Sequence, residues 1–314
     1  EKLSSDFLFL NADLIWEIDI KRFYKYHLEK TSEITLFTHL SNHPEDSDIL
    51  SESKTKEIYN FSLKPHKKNN FLSQMNLGNA GIAIMGPQVL NKVPPPKTKK
   101  SLCHHFLDNM KNHNLRIFSY NSTEYVKDMG TPERLKQVSS DLKKGIVKNN
   151  CYLRRQKCLF VDRDNTLIEC KRNQYINSIS DLKFINKNII FLAEKSKLFN
   201  MVIMATNQPQ ISMGLVSWEE VNLINSYIIN YCLRFNLKIN SVTLCPHHPH
   251  SGFQDEILNL KQDCFCRKPK PGMFLHESYL RNIDLKASTL AGDSEADFLA
   301  SKNAGMSFLD INSF

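Results

Sequence analysis

Glycine is missing from the first 77 residues; the first of only ten in the chain is Gly78. A glycine-rich loop that cradles phosphate with backbone N–H groups is therefore excluded from that stretch. No apolar run approaches the roughly 20 residues a membrane-spanning helix needs, so no membrane partner is expected. The opening EKLSSDFLFLNADLIW has neither a basic n-region nor a small-residue cleavage site, so no signal peptide is expected. It begins on Glu1 rather than Met, which leads us to expect a fragment. Repeats and low-complexity tracts are also lacking. The net charge of +8 is scattered, not gathered into a stripe, so a nucleic-acid partner is not expected. Of eight cysteines, Cys103, Cys151, Cys158, Cys170 and Cys232 show no disulfide-framework spacing. That usage fits a reducing, cytoplasmic setting. The sequence does not reveal an oligomeric state.

What is present is an ordinary globular composition, 41% hydrophobic and 24% charged. A length of 314 residues suggests two domains. We read residues 1–145 as one domain, 146–156 as a polar linker and 157–314 as the second. In the first, strands are predicted at 6–10, 34–38, 81–85 and 116–120, and helices at 18–30, 101–112 and 131–144. Residues 41–70 and 94–100 read as loops. Thr131 is a plausible N-cap, with Pro132 at the first helical position. In the second, strands at 157–161, 201–205, 240–244 and 287–291 alternate with helices at 187–199, 217–235, 271–281 and 294–304. Ser217 with Glu220 makes a capping box. Such alternation predicts an α/β domain whose parallel sheet is covered on both faces, with ligands at the carboxyl ends of its strands.

Chemistry-bearing residues fall at those ends. Leu159-Phe160-Val161-Asp162-Arg163-Asp164-Asn165-Thr166 delivers two carboxylates into a turn. Alone, D-x-D is also how a strand ends in an Asx turn. Here Met204-Ala205-Thr206-Asn207-Gln208 adds a hydroxyl, Arg267-Lys268-Pro269 adds cations, and Leu290-Ala291-Gly292-Asp293 adds a carboxylate, with Asp297 one helical turn on. In combination these segments resemble the haloacid dehalogenase superfamily, over about residues 157–310, with its Rossmann-like fold. The resemblance implies Asp162 as nucleophile and Asp164 as acid and base. It implies Mg²⁺ held by Asp162, Asp293 and the backbone carbonyl of Asp164, with Thr206 and Lys268 on the phosphoryl group. Such chemistry needs the set: an attacking carboxylate splits the reaction through a covalent intermediate, and cations and hydroxyl donors offset its repulsion from an anionic phosphate. Asn165 stands at the family's glycine and tolerates left-handed backbone.

A second constellation, Cys245-Pro246-His247-His248-Pro249-His250 with Cys264-Phe265-Cys266, offers three sulfurs and one nitrogen. Cys245, His247, Cys264 and Cys266 would close a tetrahedral Zn²⁺ site with no position left for water, hence a structural one. CPHHP with CFCRKPKPGM resembles the D-glycero-D-manno-heptose 1,7-bisphosphate phosphatase family, of the IIIA type within the superfamily. Histidinol-phosphate phosphatase has a similar but shorter zinc loop. The resemblance implies a phosphorylated sugar as substrate, with Arg267 on its second phosphate. It also implies substrate contacts from Asn207, Gln208, Arg172 and Tyr175. Lys171-Arg172 and Gln208-Pro209-Gln210 depart from the family's usual residues.

In the first half, Asn11-Ala12-Asp13, Asn79-Ala80-Gly81-Ile82 and Lys127-Asp128-Met129-Gly130-Thr131-Pro132-Glu133 resemble segments of sugar-phosphate nucleotidyltransferases. There Asp13 and Asp128 would hold a metal. The family's G-x-G-T-R loop is absent, so we expect a truncated α/β remnant with an uncovered flank on a parallel sheet and no nucleotidyl transfer. The expected function is removal of the 7-phosphate from the heptose bisphosphate through an aspartyl-phosphate, in heptose-nucleotide synthesis. The rivals are a histidinol-phosphate or nucleic-acid 3′-phosphatase, a nucleotidyltransferase with a regulatory second domain, and a zinc-dependent nucleic-acid module.

Overall fold

The computed structural model describes all residues except 1–2, 42–46, 64–75, 95–101, 172–173, 251 and 314. Two compact units divide the chain, one of Glu1–Asn69 with Asn76–Leu153 (unit 1) and one carried by Arg154–Phe314 (unit 2). The stretch read as a linker holds a short helix, and Gln156 at its end bonds to Asn282 within unit 2.

Unit 1 contains β1 (Phe7–Leu10), β2 (Leu14–Glu17), α1 (Ile20–Glu29), β3 (Ile34–Leu40), β4 (Ile49–Glu52), β5 (Ile58–Ser62) and β6 (Leu77–Met85). It continues with α2 (Gln88–Lys92), α3 (Leu102–Asn109), β7 (Ile117–Asn121), β8 (Tyr125–Asp128), α4 (Pro132–Lys143) and α5 (Ile146–Asn149). The main sheet runs β5-β4-β6-β3-β7, with β1 also paired to β6. It is mixed, not parallel as expected: β3 and β7 are parallel, but β6 runs antiparallel to both β1 and β3. β4 and β5 lie inside the stretch expected to be loop. Each is only four or five residues long, and β5 is largely exposed, so apolar patterning there is weak. β2 and β8 form a separate ribbon that the sequence reading also missed.

Alternation along β6 explains why unit 1 buries apolar side chains on both faces of that strand. Ala83 and Met85 pack with Ile34, Leu36 and Ile117. Ile82 and Ile84, on the opposite face, pack with Phe23, Phe37 and Tyr120. Helix α4 starts as its sequence demands, with Thr131 accepting from Arg134 N and Pro132 in the first turn.

Unit 2 runs β9 (Cys158–Val161), α6 (Asn186–Ser196), β10 (Met201–Asn207), α7 (Trp218–Leu233), β11 (Ser241–Cys245), α8 (Gly272–Arg281), β12 (Thr289–Gly292), α9 (Glu295–Ala304) and β13 (Ser307–Asp310). All five strands are parallel, in the order β11-β10-β9-β12-β13. The chain thus builds outward from β9 in one direction, then returns to build in the other. β9 and β12 flank the point where the direction reverses, and in open α/β sheets the crevice beyond those carboxyl ends receives ligand. β9, Cys-Leu-Phe-Val, is the central strand and all four residues are fully buried. Phe160 meets Phe274 of α8 edge to face, with centroids 5.0 Å apart. Burying a side chain of that size stabilises by about 1.5–3 kcal/mol, which anchors the strand that delivers Asp162. The Ser217–Glu220 capping box forms at the start of α7. β13 was not foreseen; it is short and half exposed.

Candidate active site

Asp162 follows β9 directly, and its backbone N–H donates to Ala291 O of β12 at 2.8 Å. The residue is 6% exposed. Lys268 Nζ reaches the same crevice and donates to Asp162 Oδ1, to Asp297 Oδ1 at 2.6 Å and to Ala205 O at 3.0 Å. The lysine is held by a reciprocal clamp: Asn207 Oδ1 accepts from Lys268 N at 3.1 Å, and Asn207 Nδ2 donates to Lys268 O at 3.1 Å. Both ends of that amide are engaged by backbone, so Asn207 acts on the lysine segment.

Asp293 joins Asp162 and Asp297, and carboxylate oxygens of the three lie within 4.8 Å of one another. Gly292 makes this possible. A Cβ there would meet the Asp297 carboxyl carbon at 2.6 Å, so any side chain would push Asp297 out. Asp297 also closes a capping box with Ser294 at the start of α9, accepting from its N–H at 3.3 Å and its hydroxyl at 2.5 Å. Three carboxylates against one ammonium leave two negative charges in a buried crevice. Burial raises the Asp162 carboxyl; Lys268 opposes the shift, and Asp297 and Asp164 reinforce it. Asp293 is raised by burial and by Asp297. Burial by itself would lower the Lys268 ammonium, but Asp162 and Asp297 outweigh that and raise it. Such an excess of negative charge suits a divalent cation with oxygen ligands.

Asp164 is turned differently. Its Oδ2 accepts from Gln208 Nε2 at 3.1 Å and Thr206 Oγ1 at 3.4 Å, and its Oδ1 from Arg163 Nη2 at 2.9 Å. Asn165 takes φ of 57°, the left-handed conformation expected at this position, and its Oδ1 accepts from Cys170 N at 2.8 Å. Thr206 and Gln208 are fully buried, and Gln208 also donates to Thr206 Oγ1 at 2.7 Å. Tyr175 is 38% exposed. Arg172 lies outside the described residues. The sequence marked Asp297 without a role, gave none to Arg163 or Gln210, and did not single out Asn225. Nothing in periodicity marks a polar residue on α7, such as Asn225, as part of a site.

The Cys/His residues also converge. Cys245 Sγ lies 3.4 Å from Cys264 Sγ and 3.3 Å from Cys266 Sγ, and Cys264 and Cys266 are 3.2 Å apart. His247 Nδ1 is 3.6 Å from Cys245 Sγ and 3.2 Å from Cys266 Sγ. Four donor atoms this close, none in a disulfide, fit the corners of a tetrahedron around one small thiophilic ion. Arg267 Nη1 donates to His247 O at 3.3 Å.

In unit 1 the three singled-out segments meet. Asn11 N donates to Gly81 O at 2.9 Å, and Met129 N to Asp13 O at 2.9 Å. Gly81 has φ of 78°, and a Cβ there would strike the Asn11 amide at 2.6 Å. Asp128 accepts from Arg134 Nη1 at 2.7 Å, and Asp13 is exposed.

A parallel α/β sheet with an acidic, lysine-bridged crevice at its reversal point defines the class: an α/β enzyme built to handle an anionic group beside a cation. No family profile matches the chain. Among curated proteins, it is 33% identical over 150 residues to D-glycero-alpha-D-manno-heptose-1,7-bisphosphate 7-phosphatase of Photorhabdus laumondii, covering 48% of this chain and 79% of that protein. It is 31% identical over 150 residues to the beta-anomer enzyme of Pasteurella multocida, covering 48% and 77%. The chain therefore belongs to the heptose-1,7-bisphosphate 7-phosphatase family, whose members are hydrolases. Among solved structures, D,D-heptose 1.7-bisphosphate phosphatase from B. bronchiseptica, complexed with magnesium and phosphate, aligns at 24% identity over 48% of this chain and 78% of that one, with a TM-score of 0.41. HddC from Yersinia pseudotuberculosis complexed with GMP-PN aligns at 18% identity over 44% and 56%, with a TM-score of 0.35. Among the described residues, no helix is long and apolar enough to cross a membrane.

Proposed function

We propose that unit 2 is a Mg²⁺-dependent phosphatase of the haloacid dehalogenase type that removes the 7-phosphate of D-glycero-D-manno-heptose 1,7-bisphosphate. The observation that carries this reading is the buried Asp162–Lys268–Asp297 cluster with Asp293 beside it. A carboxylate oxygen of Asp162 attacks phosphorus while the bond from phosphorus to the sugar oxygen breaks. Asp164 gives its proton to the departing oxygen. Water then attacks the phosphorus of the aspartyl-phosphate, passing a proton to Asp164, and the Asp162 carboxylate is regenerated as inorganic phosphate leaves. Lys268 and Thr206 face the transferring group, and Arg267 takes the substrate's second phosphate. Asp162, Asp293 and the Asp164 carbonyl would hold Mg²⁺, which neutralises charge as the phosphoryl group is transferred. Cys245, His247, Cys264 and Cys266 would hold a structural Zn²⁺.

Unit 1 we read as a nucleotidyltransferase-like unit without activity, on the meeting of Asn11, Gly81, Asp13 and Asp128. Phosphate release from both anomers of the bisphosphate, histidinol phosphate and 3′-phosphorylated DNA is the test. Turnover of the heptose bisphosphate well above the others is expected; preference for either rival substrate would overturn the assignment.

A further inference from the structure

The side chain between the two reacting carboxylates has no role in the chemistry above, yet Arg163 is the bulkiest fully buried side chain among the described residues. A buried guanidinium is costly unless its donors are placed. Here they are. Nη2 donates to Asp164 Oδ1 at 2.9 Å, and Nε to Oδ1 and Oδ2 at 3.2 Å each. On the far side, Nη1 donates to Asn225 Oδ1 of α7 at 3.2 Å. The other edge of the same carboxylate takes Gln208 Nε2, and Gln208 Oε1 in turn accepts from Gln210 Nε2 at 2.6 Å.

Resting on the assignment of Asp164 as acid and base, we propose that Arg163 is a positioning residue which, braced by Asn225, fixes the orientation of the Asp164 carboxyl group. An aspartate has two free torsions, and a group that must pass a proton has to stay within hydrogen-bond reach of the reacting oxygen. Gln208 and Thr206 grip one oxygen. Arg163 grips the other and is the only donor among the described residues whose bonds span both. The fork of the guanidinium supplies that two-oxygen hold, which a lysine's single ammonium point cannot reproduce. The brace on α7 keeps the fork from swinging with the carboxylate it holds.

The test uses leaving-group dependence of kcat/KM, which reports steps up to departure of the alcohol. The sugar bisphosphate has a poor leaving group and needs protonation; 2,4-dinitrophenyl phosphate does not. Arg163→Lys should lower kcat/KM for the bisphosphate on the order of ten- to a hundredfold, less than the roughly 10²–10⁴-fold of losing the acid itself, and leave the dinitrophenyl ester within about threefold. Asn225→Ala should show the same selectivity, more weakly, and serves if Arg163→Lys does not fold. Asp164→Asn is the reference. If it costs both substrates alike, the acid–base assignment falls and the inference with it. If Asp164→Asn is selective while the Arg163 and Asn225 variants slow both esters equally, Arg163 merely supports the fold and the inference alone is overturned.

Discussion

Both units bring aspartates to the ends of β-strands, but they treat the charge differently. In unit 2, Asp162 and Asp297 are 6% and 1% exposed and share a buried lysine. In unit 1, Asp13 is exposed and Asp128 pairs with Arg134 across a half-exposed surface. Water screens the second arrangement, so its charges cost little and do little. In the first, each charge depends on its neighbours, and removal of one alters the others. The sequence already separates the two by the missing G-x-G-T-R loop of unit 1; burial separates them again.

The sharpest break is at the nucleophile. Asp162→Asn keeps the shape of the crevice but offers phosphorus a neutral amide. Phosphate release should fall by at least about 10⁴-fold, as when a nucleophile is removed elsewhere, with thermal unfolding little changed. Substantial residual turnover by a clean preparation would remove Asp162 from the role.

Next comes Lys268→Met, which strands Asp162 and Asp297. Leaving buried charge unpaired costs about 3–5 kcal/mol, read as a lower denaturation midpoint in Mg²⁺-free buffer, with turnover also lost. The deficit has a sign in pH. Burial raises the Asp162 carboxyl to about 7 even with the lysine present, and it would rise further without it. A carboxyl whose folded pKa lies above its unfolded one favours folding in its protonated form. The variant should therefore recover stability as pH falls from that further-raised value towards the ordinary carboxylate range, and lose it as pH rises through that window. A deficit that does not change with pH would mean that Lys268 is not balancing these carboxylates.

A comparable effect on stability should follow metal removal from the cysteine cluster. Elemental analysis should find one zinc per chain after dialysis. At a free-ion level about 1,000 times its Kd, a bound ion adds about 4 kcal/mol, which at roughly 2–4 °C of Tm per kcal/mol in a unit this size is about 8–16 °C. Chelation that leaves Tm unmoved would count against a structural ion.

Unit 1 should respond least. Arg134→Ala opposite Asp128 should change stability by about 1 kcal/mol or less, since exposed pairs contribute little, and leave phosphate release intact.

The sequence revealed most where strands were long or fully apolar. The apolar run expected as a strand at 157–161 is β9, Cys158–Val161, and the carboxylates after it marked the crevice. The sequence could not show that Asp297 would reach Lys268, because that depends on the close approach at Gly292. Nor could it show the Arg163–Asn225 bond, formed across 62 positions of chain. In unit 1 the misses were β2, β4, β5 and β8, each four or five residues long. Strands so short depend on their partners for stability more than on their own pattern.

Asp13 and Asp128 both approach Gly130, where a Cβ would be 3.5 Å from the Asp128 carboxylate and 3.7 Å from the Asp13 carboxylate, so the two acids share one spot. Binding a cation is not transfer. In-line displacement at a nucleoside triphosphate also requires the triphosphate to be held in line with the attacking phosphate, and that placement is worth orders of magnitude in rate. Backbone N–H groups in glycine-rich loops usually provide it, and this chain has no glycine before Gly78. Asp128 is moreover already engaged by Arg134, which competes with a cation. Incubating the chain with heptose 1-phosphate, each nucleoside triphosphate in turn and Mg²⁺ should yield no pyrophosphate above background. Asp13→Asn should leave that background unchanged. Pyrophosphate that appears with the parent chain and vanishes with Asp13→Asn would show that unit 1 positions a triphosphate by other means, and the contrast between the units would then be one of substrate rather than of activity.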